Sequence, residues 1–137
     1  MVAFEAEGET IGTIRIVPMG LQLTLTEDLL AASPTPPRAQ PGAWWEVGRL
    51  ILLPQYRGDV EMLRRCLFLA MDYACSQTPM DHLFASCKHV LSRLYRRFGF
   101  TAFAAGVPLA GTDKVYTLIE GPAPVVLRAL AGKPAGH

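Results

Sequence analysis

Hydrophobic and polar residues along the chain follow two different periods, one typical of strands and the other of helices. Residues 4–17 contain two stretches separated by residues 7–9, and the second stretch is rich in β-branched side chains, which predicts a β-hairpin. Residues 44–53 form a nearly continuous apolar run, as expected for a strand buried on both faces of a sheet. Over 59–77 apolar residues instead recur every three or four positions, which predicts an amphipathic helix.

The remaining predicted elements alternate between strands and helices. They are a short helix over 26–32, a strand over 82–85, a helix over 88–98, and strands over 100–104 and 114–120. Ser86 is expected to cap the helix over 88–98 and Gly99 to end it, and residues 123–131 fit either a strand or a helical turn. This order predicts an α/β (α+β) fold with helices on the faces of one central sheet, in a single domain over 1–137.

Composition and charge narrow the classes of function. The chain has 137 residues, half of them apolar, which is enough for one domain with a hydrophobic core. A net charge of +1 with 18% charged residues provides no global field to recruit nucleic acid or an anionic membrane. No apolar run approaches the roughly 20 residues that span a bilayer, and the N-terminus does not resemble a signal peptide. The sequence therefore predicts a cytoplasmic protein.

Charged residues interrupt the most apolar predicted strand at Glu46 and Arg49. Burying an unpaired charge is costly, so both side chains are expected to be paired or to face a cleft. A structural ion pair at a strand end would explain them equally well. Gly48 suggests a bulge, which would free backbone amides to stabilise an oxyanion. We therefore predict Glu46 and Arg49 as catalytic residues, and Gly48, Leu50 and Ile51 as part of a substrate site.

Arg15 is likewise a charged residue within an apolar strand, the second strand of the predicted hairpin. It lies between Ile14 and Ile16, and strict alternation directs its side chain to the face opposite theirs. An arginine that simply faces solvent is the alternative explanation, since arginine is rarely buried without a partner. We include Arg15 among the predicted substrate-binding residues.

Basic residues are concentrated in or near the two longer predicted helices. They are Arg57, Arg64, Arg65, Lys88, Arg93, Arg96 and Arg97. Such a cluster either makes a helix surface soluble or orients an acidic partner protein. The second interpretation predicts a docking surface.

Motifs for metal and covalent chemistry are missing from the sequence. Cys66, Cys75 and Cys87 are odd in number and follow no CxxC spacing, so we expect buried free thiols. The three histidines have no spacing typical of a metal site, and we predict no bound metal. There is also no GxSxG elbow, P-loop or dinucleotide-binding glycine pattern.

Four segments together resemble the acyl-homoserine-lactone (autoinducer) synthases, a family of GNAT-fold N-acyltransferases. Residues 12–18 (G-T-I-R-I-V-P) are similar to that family's G-x-x-R-L-L-P, and residues 45–50 (W-E-V-G-R-L) to its W-E-x-S-R-F. Residues 91–100 (L-S-R-L-Y-R-R-F-G-F) are similar to its M-E-R-x-L-x-R-x-G-W, and residues 106–108 (G-V-P) to its G-x-P. Related long-chain N-acyl amino acid synthases have a similar strand and a similar Y-x-x-x-G-F string at the end of the helix.

The resemblance implies a GNAT-like fold with a mixed, mostly antiparallel sheet, and transfer of an acyl chain from acyl carrier protein to the amine of S-adenosylmethionine, followed by lactone closure. Glu46 would orient or deprotonate the amine, and Arg15 and Arg49 would belong to the same site. A free amino acid is the alternative acceptor, and a non-catalytic module that binds carrier protein is the alternative from another class. The chain has Gly48 where the family has serine, and the family's N-terminal helices have no counterpart before Met1.

The donor is also suggested by comparison with GNAT enzymes, which hold the pyrophosphate of coenzyme A on amides at the start of the long helix. Their loop reads Q/R-x-x-G-x-G/A, whereas residues 57–62 read R-G-D-V-E-M. Val60 and Met62 replace the small residues, and Asp59 and Glu61 add negative charge. We therefore expect acyl carrier protein, with its phosphopantetheine arm, to be the donor, and no bound cofactor.

Overall fold

Strands and helices alternate along the chain, as the sequence pattern predicts. The computed structural model describes residues 2–6, 9–20, 25–33, 35–37, 42–52, 54 and 58–132. The strands in these ranges are β1 (Val2–Ala6), β2 (Glu9–Pro18), β3 (Trp44–Leu52), β4 (His82–Cys87), β5 (Thr101–Pro108) and β6 (Val115–Pro122). The helices are α1 (Leu25–Ala32), α2 (Val60–Gln77), α3 (His89–Arg96) and α4 (Ala123–Leu130).

All six strands belong to one sheet in the order β1-β2-β3-β4-β6-β5. The predicted hairpin is confirmed, since β1 and β2 pair antiparallel. β3 and β4 pair parallel through the crossover helix α2, and the other neighbouring strands pair antiparallel. The sheet is therefore mixed and mostly antiparallel, with its parallel pair in the middle.

Each face of the sheet buries its own hydrophobic cluster. The larger cluster lies under α2, α3 and α4 and includes Ile14 of β2, Leu83 of β4 and Ile119 of β6. The smaller cluster lies under α1, where Leu29 packs with Val107 and Leu118. Because side chains alternate along a strand, neighbouring residues of β2, β3 and β4 point to opposite faces. This alternation separates the side chains that are discussed below.

The start of α3 differs from the prediction. Ser86 does not cap this helix, because β4 extends through Cys87 and pairs Ser86 with Leu118 of β6. Lys88 occupies the N-cap position instead, without a hydrogen bond from its side chain to the helix. Gly99 follows the helix with a φ of 88°, a conformation that glycine adopts without strain, as the sequence predicted for the helix end.

Two further boundaries become clear only in the structure. β5 extends to Pro108, beyond the predicted end at residue 104, because its pairing with β6 continues past an irregularity in the ladder. The segment that fitted either a strand or a helical turn is the helix α4, with Pro124 in its first turn, where a missing amide costs little. In the described ranges, no helix is long and apolar enough to cross a membrane.

Candidate functional site

The strands β3 and β4 separate in the middle of the sheet. Their parallel ladder pairs Trp44 with His82, Trp45 with Leu83 and Glu46 with Phe84, and these are the last paired residues in the described parts of the two strands. Beyond this point β3 continues to Leu52 and β4 to Cys87. A gap therefore opens between the two strands.

β3 also carries the bulge that Gly48 suggested. Thr13 and Arg15 of β2 are two positions apart, whereas their partners on β3, Ile51 and Gly48, are three positions apart. β3 therefore contains one extra residue between Gly48 and Ile51, and a bulge of this kind leaves backbone groups outside the regular ladder. The bulge lies next to the gap between β3 and β4.

An apolar cavity of about 270 Å³ lies at this gap, on the face of the sheet that α2, α3 and α4 cover. Its walls come from Ile14, Val47, Gly48, Leu67, Met71, Ala85, Ser86, Cys87, Leu91, Tyr95, Phe100, Ile119, Val126 and Leu130. Val47 and Ala85 point towards the helices by alternation, whereas Gly48 and Ser86 belong to the α1 side of their strands. Both strands therefore contribute to the cavity wall at the opening between them.

Glu46 lies at this opening on the α1 side. Its carboxylate is buried, and Oε2 accepts a hydrogen bond of 2.8 Å from the backbone N–H of Thr26, in the first turn of α1. A β-carbon built on Gly48 would lie 3.5 Å from Glu46 Oε1, so the second carboxylate oxygen adjoins the cavity wall. The carboxylate is thus held by a helix N-terminus and reaches the gap, a position suited to accepting a proton from a group bound there.

Thr26 connects Glu46 to β4. Its hydroxyl lies 3.2 Å from the hydroxyl of Ser86, and the Thr26 side chain is fully buried. Glu46, Thr26 and Ser86 therefore form one polar network across the gap between β3 and β4. Polar groups with so little access to water are stable only when they are hydrogen-bonded, and this network satisfies part of that requirement.

Arg15 joins the same region, as the sequence predicted. It stands directly opposite Gly48 in the β2–β3 ladder and is half-buried. Ile14 and Ile16, its neighbours, pack with the larger hydrophobic cluster, so alternation directs Arg15 to the α1 face together with Glu46. The structure thus brings Arg15, Glu46 and Gly48 together.

The other predicted residues of this strand lie partly outside the described structure. The backbone of Arg49, Leu50 and Ile51 belongs to β3 at and beyond the bulge, but their side chains are outside the described residues. Arg57 lies outside the described residues altogether. The predicted roles of these side chains remain predictions.

Tyr95 contributes a polar group to the cavity that the sequence did not single out as functional. Burial raises the pKa of its phenol, and the neighbouring thiol of Cys87 adds to the rise. Burial also raises the pKa of Cys87 to about 11, so its thiol stays protonated and is a poor nucleophile at neutral pH. Tyr95 stands four positions before Gly99, in the Y-x-x-x-G-F string, and that string could have identified it.

The N-terminus of α2, where an anion would bind, is occupied by the chain's own carboxylate. Asp59 caps the helix and accepts a hydrogen bond of 3.0 Å from the amide of Met62. Glu61 adds a second negative charge in the first turn, where it pairs with Arg64 and Arg65. Hydrogen bonding to Arg64 lowers the pKa of Glu61, so this carboxylate is ionised at neutral pH. Both charges oppose the binding of a pyrophosphate at this helix end.

The predicted basic residues differ in exposure and in the helix that carries them. Arg64 is half-buried and donates hydrogen bonds to Glu61 and to the carbonyl of Leu130, so it ties α2 to the end of α4. Arg65 is exposed on α2. α2 packs against α4, while α3 packs over β5 and β6, so the basic residues of α2 and α3 are carried by helices with different neighbours.

The basic residues of α3 are exposed, and the helix that carries most of them lines the cavity. They are Lys88, Arg93, Arg96 and Arg97, and no acidic residue occurs from 88 to 97. Leu91 of the same helix lines the cavity, and Val90 beside it is 70% exposed. This helix therefore presents positive charge and an exposed apolar side chain beside one wall of the cavity.

Free thiols are found as predicted, since Cys66 and Cys87 are buried and Cys75 is half-buried, all three unbridged. Within the described ranges, no group of three or more His, Cys, Asp or Glu side chains is arranged to hold a metal ion.

Comparison with known proteins relates this chain to one family. The sequence profile of the family described as N-acyl amino acid synthase FeeM matches residues 1–119. Among curated proteins, none matches this chain. The structure of FeeM itself, an N-acyl amino acid synthase from uncultured soil microbes, is similar over 85% of this chain and 64% of that one, with 22% identity and a TM-score of 0.62.

Other similar structures share the fold at lower identity. BjaI, a CoA-dependent acyl-homoserine lactone synthase solved with S-adenosylmethionine and isopentyl-CoA, matches 97% of this chain and 64% of its own, with 15% identity and a TM-score of 0.62. A GNAT-family acetyltransferase from Streptococcus agalactiae matches 85% and 61%, with 12% identity and a TM-score of 0.59. The chain thus spans less than two thirds of the length of these proteins. It has the GNAT acyltransferase fold and belongs to the N-acyl amino acid synthase FeeM family.

Proposed function

We propose that this protein transfers an acyl chain from the thioester of an acyl carrier protein to the amine of an amino-acid-like acceptor. The observation that carries the proposal is the position of the Glu46 carboxylate beside Gly48, where an apolar cavity opens between two separated strands. The acyl chain lies in the cavity, and the thioester carbonyl lies at the opening. The amine approaches from the α1 face, where Glu46 takes its proton.

The same site supplies the other groups that acyl transfer requires. Backbone amides of the β3 bulge, from Gly48 to Ile51, donate to the oxygen that becomes negative in the transition state. The protonated phenol of Tyr95 supplies a proton to the leaving thiolate. Arg15, opposite Gly48, pairs with the carboxylate of the acceptor, as guanidinium groups commonly do, and Arg49 belongs to the same site by resemblance.

The donor proposed here is a carrier protein because two features of the structure support it. The carboxylates of Asp59 and Glu61 stand where GNAT enzymes bind the pyrophosphate of coenzyme A. Exposed basic residues also occur on α3, a helix that lines the cavity, and acyl carrier proteins are acidic. Arg93 and Arg96 of this helix are the docking residues that we propose first, and Arg64 contributes least because its guanidinium is already engaged.

For the acceptor, the match to the FeeM family supports a free amino acid, because FeeM is an N-acyl amino acid synthase. S-adenosylmethionine, followed by lactone closure, is the second candidate. The observations in its favour are the autoinducer-synthase strings at residues 12–18 and 45–50, since Arg15 and Glu46 of these strings both lie beside Gly48, which lines the cavity.

The test is mass spectrometry of the products formed by this chain from acyl carrier protein thioesters, with a pool of amino acids and S-adenosylmethionine as acceptors. An N-acyl amino acid is the expected product, and an acyl-homoserine lactone would favour the second candidate. Binding of the acylated carrier protein by folded chain without any product would contradict the enzyme and favour a non-catalytic binding module.

A further inference from the structure

We propose that Ser86 is a further catalytic residue, whose hydroxyl donates a hydrogen bond to the thioester carbonyl oxygen from the β4 side of the opening. The inference rests on the proposed acyl transfer and adds a residue that neither the family match nor the sequence strings assign. It makes the oxyanion site two-sided, with amides of the β3 bulge on one strand and a side-chain hydroxyl on the other.

The position of Ser86 supports this role. Glu46 and Phe84 are the last paired residues of the β3–β4 ladder, and Gly48 and Ser86 follow two positions later on their respective strands. Gly48 and Ser86 therefore stand at matching positions across the gap, and both line the cavity. A carbonyl group held in the gap would lie between them. The walls of the cavity are otherwise mostly apolar, so a hydroxyl at this point is a distinct chemical feature.

The hydrogen bonds around Ser86 leave its proton available. The Thr26 hydroxyl donates to Ser86 Oγ at 3.2 Å, and within the described part of the chain no acceptor for the Ser86 proton is found other than that hydroxyl. Thr26 also donates its backbone N–H to Glu46 at 2.8 Å. One buried threonine thus positions both the proposed base and the proposed oxyanion donor, and we assign Thr26 as a positioning residue.

The amine nitrogen forms a bond to the thioester carbon, and the π electrons move to the carbonyl oxygen. Ser86 and the bulge amides donate hydrogen bonds to the resulting oxyanion. Glu46 takes the proton that the nitrogen loses. When the intermediate collapses, the carbon–sulfur bond breaks, and the thiolate leaves with the electron pair and takes a proton from Tyr95. The proton on Glu46 then returns to the phenolate through solvent.

The test compares Ser86→Ala with the intact chain, using acyl pantetheine thioesters and the acceptor that the product analysis identifies. Removing one oxyanion donor lowers kcat by about 100-fold with little change in KM. Ser92→Ala is the matched control, because Ser92 is also buried but donates only to the His89 carbonyl within α3, and its kcat is expected to be unchanged. A thioether analogue without the carbonyl oxygen should inhibit the intact chain and Ser86→Ala equally.

Thr26→Val and Thr26→Ser examine the same inference independently. Valine removes the hydroxyl and keeps the amide, so kcat should fall by about tenfold or less, whereas serine should restore it. Ser86→Cys replaces the alanine variant if that protein does not fold, and it should also lose kcat. A folded Ser86 variant with kcat within twofold of the intact chain would overturn the inference alone. Absence of any product from the intact chain would overturn the proposed function and this inference with it.

Discussion

Glu46 Oε2 accepts a hydrogen bond of 2.8 Å from the backbone N–H of Thr26, although the two residues lie on opposite sides of the proline-rich segment that follows α1. This bond fixes a buried carboxylate at the N-terminus of α1 and leaves Oε1 near Gly48. Because a backbone amide, rather than a side chain, holds the carboxylate, a substitution of Glu46 can remove the carboxylate and still keep the hydrogen bond from Thr26.

Glu46→Gln is expected to keep the fold and lose activity. The amide oxygen of the new side chain can still accept from the Thr26 N–H, but it cannot take a proton from the amine, and a general base contributes about 100-fold or more to kcat. Steady-state product formation measures the loss, and thermal unfolding checks the fold. Glu61→Gln on the surface of α2 is the matched control. Equal activity of Glu46→Gln and the intact chain would show that Glu46 is structural.

Substitutions at Gly48 should show that a small side chain is tolerated at this position and that a large one blocks the opening. A β-carbon at this position makes ordinary contact with Glu46 Oε1 at 3.5 Å, so Gly48→Ser should fold and keep activity within about threefold. Gly48→Leu should fill the opening and lower kcat/KM by about 100-fold or more, because the thioester can no longer reach its position. If the leucine variant is folded and fully active, the acyl group does not pass through this gap.

Ala85→Leu is expected to shift the preference towards shorter acyl chains. Ala85 lines the cavity, and the added side chain carbons take the space of about three methylenes of substrate. Each lost methylene contact is worth about 0.8 kcal/mol, or roughly fourfold in kcat/KM. The measurement is kcat/KM across a series of acyl chain lengths. Ala105→Leu, at an exposed position of β5, should leave the preference unchanged, and an unchanged profile for Ala85→Leu would place the acyl chain elsewhere.

Charge reversal on α3 should weaken the binding of the carrier protein without affecting the acyl-transfer step. The double variant Arg93→Glu and Arg96→Glu is expected to raise KM for acyl carrier protein by about tenfold at low salt, and less at high salt. The KM for an acyl pantetheine thioester should not change, because that donor lacks the acidic protein. Arg128→Glu, exposed on α4, serves as the control. An equal effect on both donors would argue against a docking role for α3.

Stability should fall in mild acid because of His82. Burial lowers the pKa of His82 from its ordinary 6.5, although Glu120, whose Oε2 lies 3.9 Å from Nε2, opposes the shift. Below pH 6.5 the unfolded chain binds a proton that the folded chain does not bind, so stability decreases as pH falls through the lowered pKa.

Denaturant unfolding at about pH 7.5 and about pH 5.5 measures this effect. His82→Gln should reduce the difference between the two values. His89→Gln is the matched control and should keep it, because this change leaves the His82–Glu120 pair intact. A pH difference that survives in His82→Gln would assign the effect to other groups.

Local sequence patterns are enough to predict most of the elements and the fold class. The periods of apolar residues predict β2, β3 and α2 within a few residues of their observed bounds, because local spacing sets which face of an element can be buried. Glu46 and Gly48, both exceptional within an apolar strand, also directed attention to one side of the candidate site. The prediction that Ser86 caps α3 was wrong because it considered only neighbours in the sequence.

The assembly of the candidate site, in contrast, depends on contacts between residues that are distant in the sequence. Ser86 belongs to β4 because of its pairing with Leu118, and Thr26 reaches it across a separation of 60 residues. The gap between β3 and β4 depends on where a ladder of distant residues ends, which no local pattern encodes. The same holds for Arg64, whose guanidinium is engaged by the carbonyl of Leu130, a residue 66 positions away. Local composition fixes which side chains are available, and long-range packing fixes which of them meet.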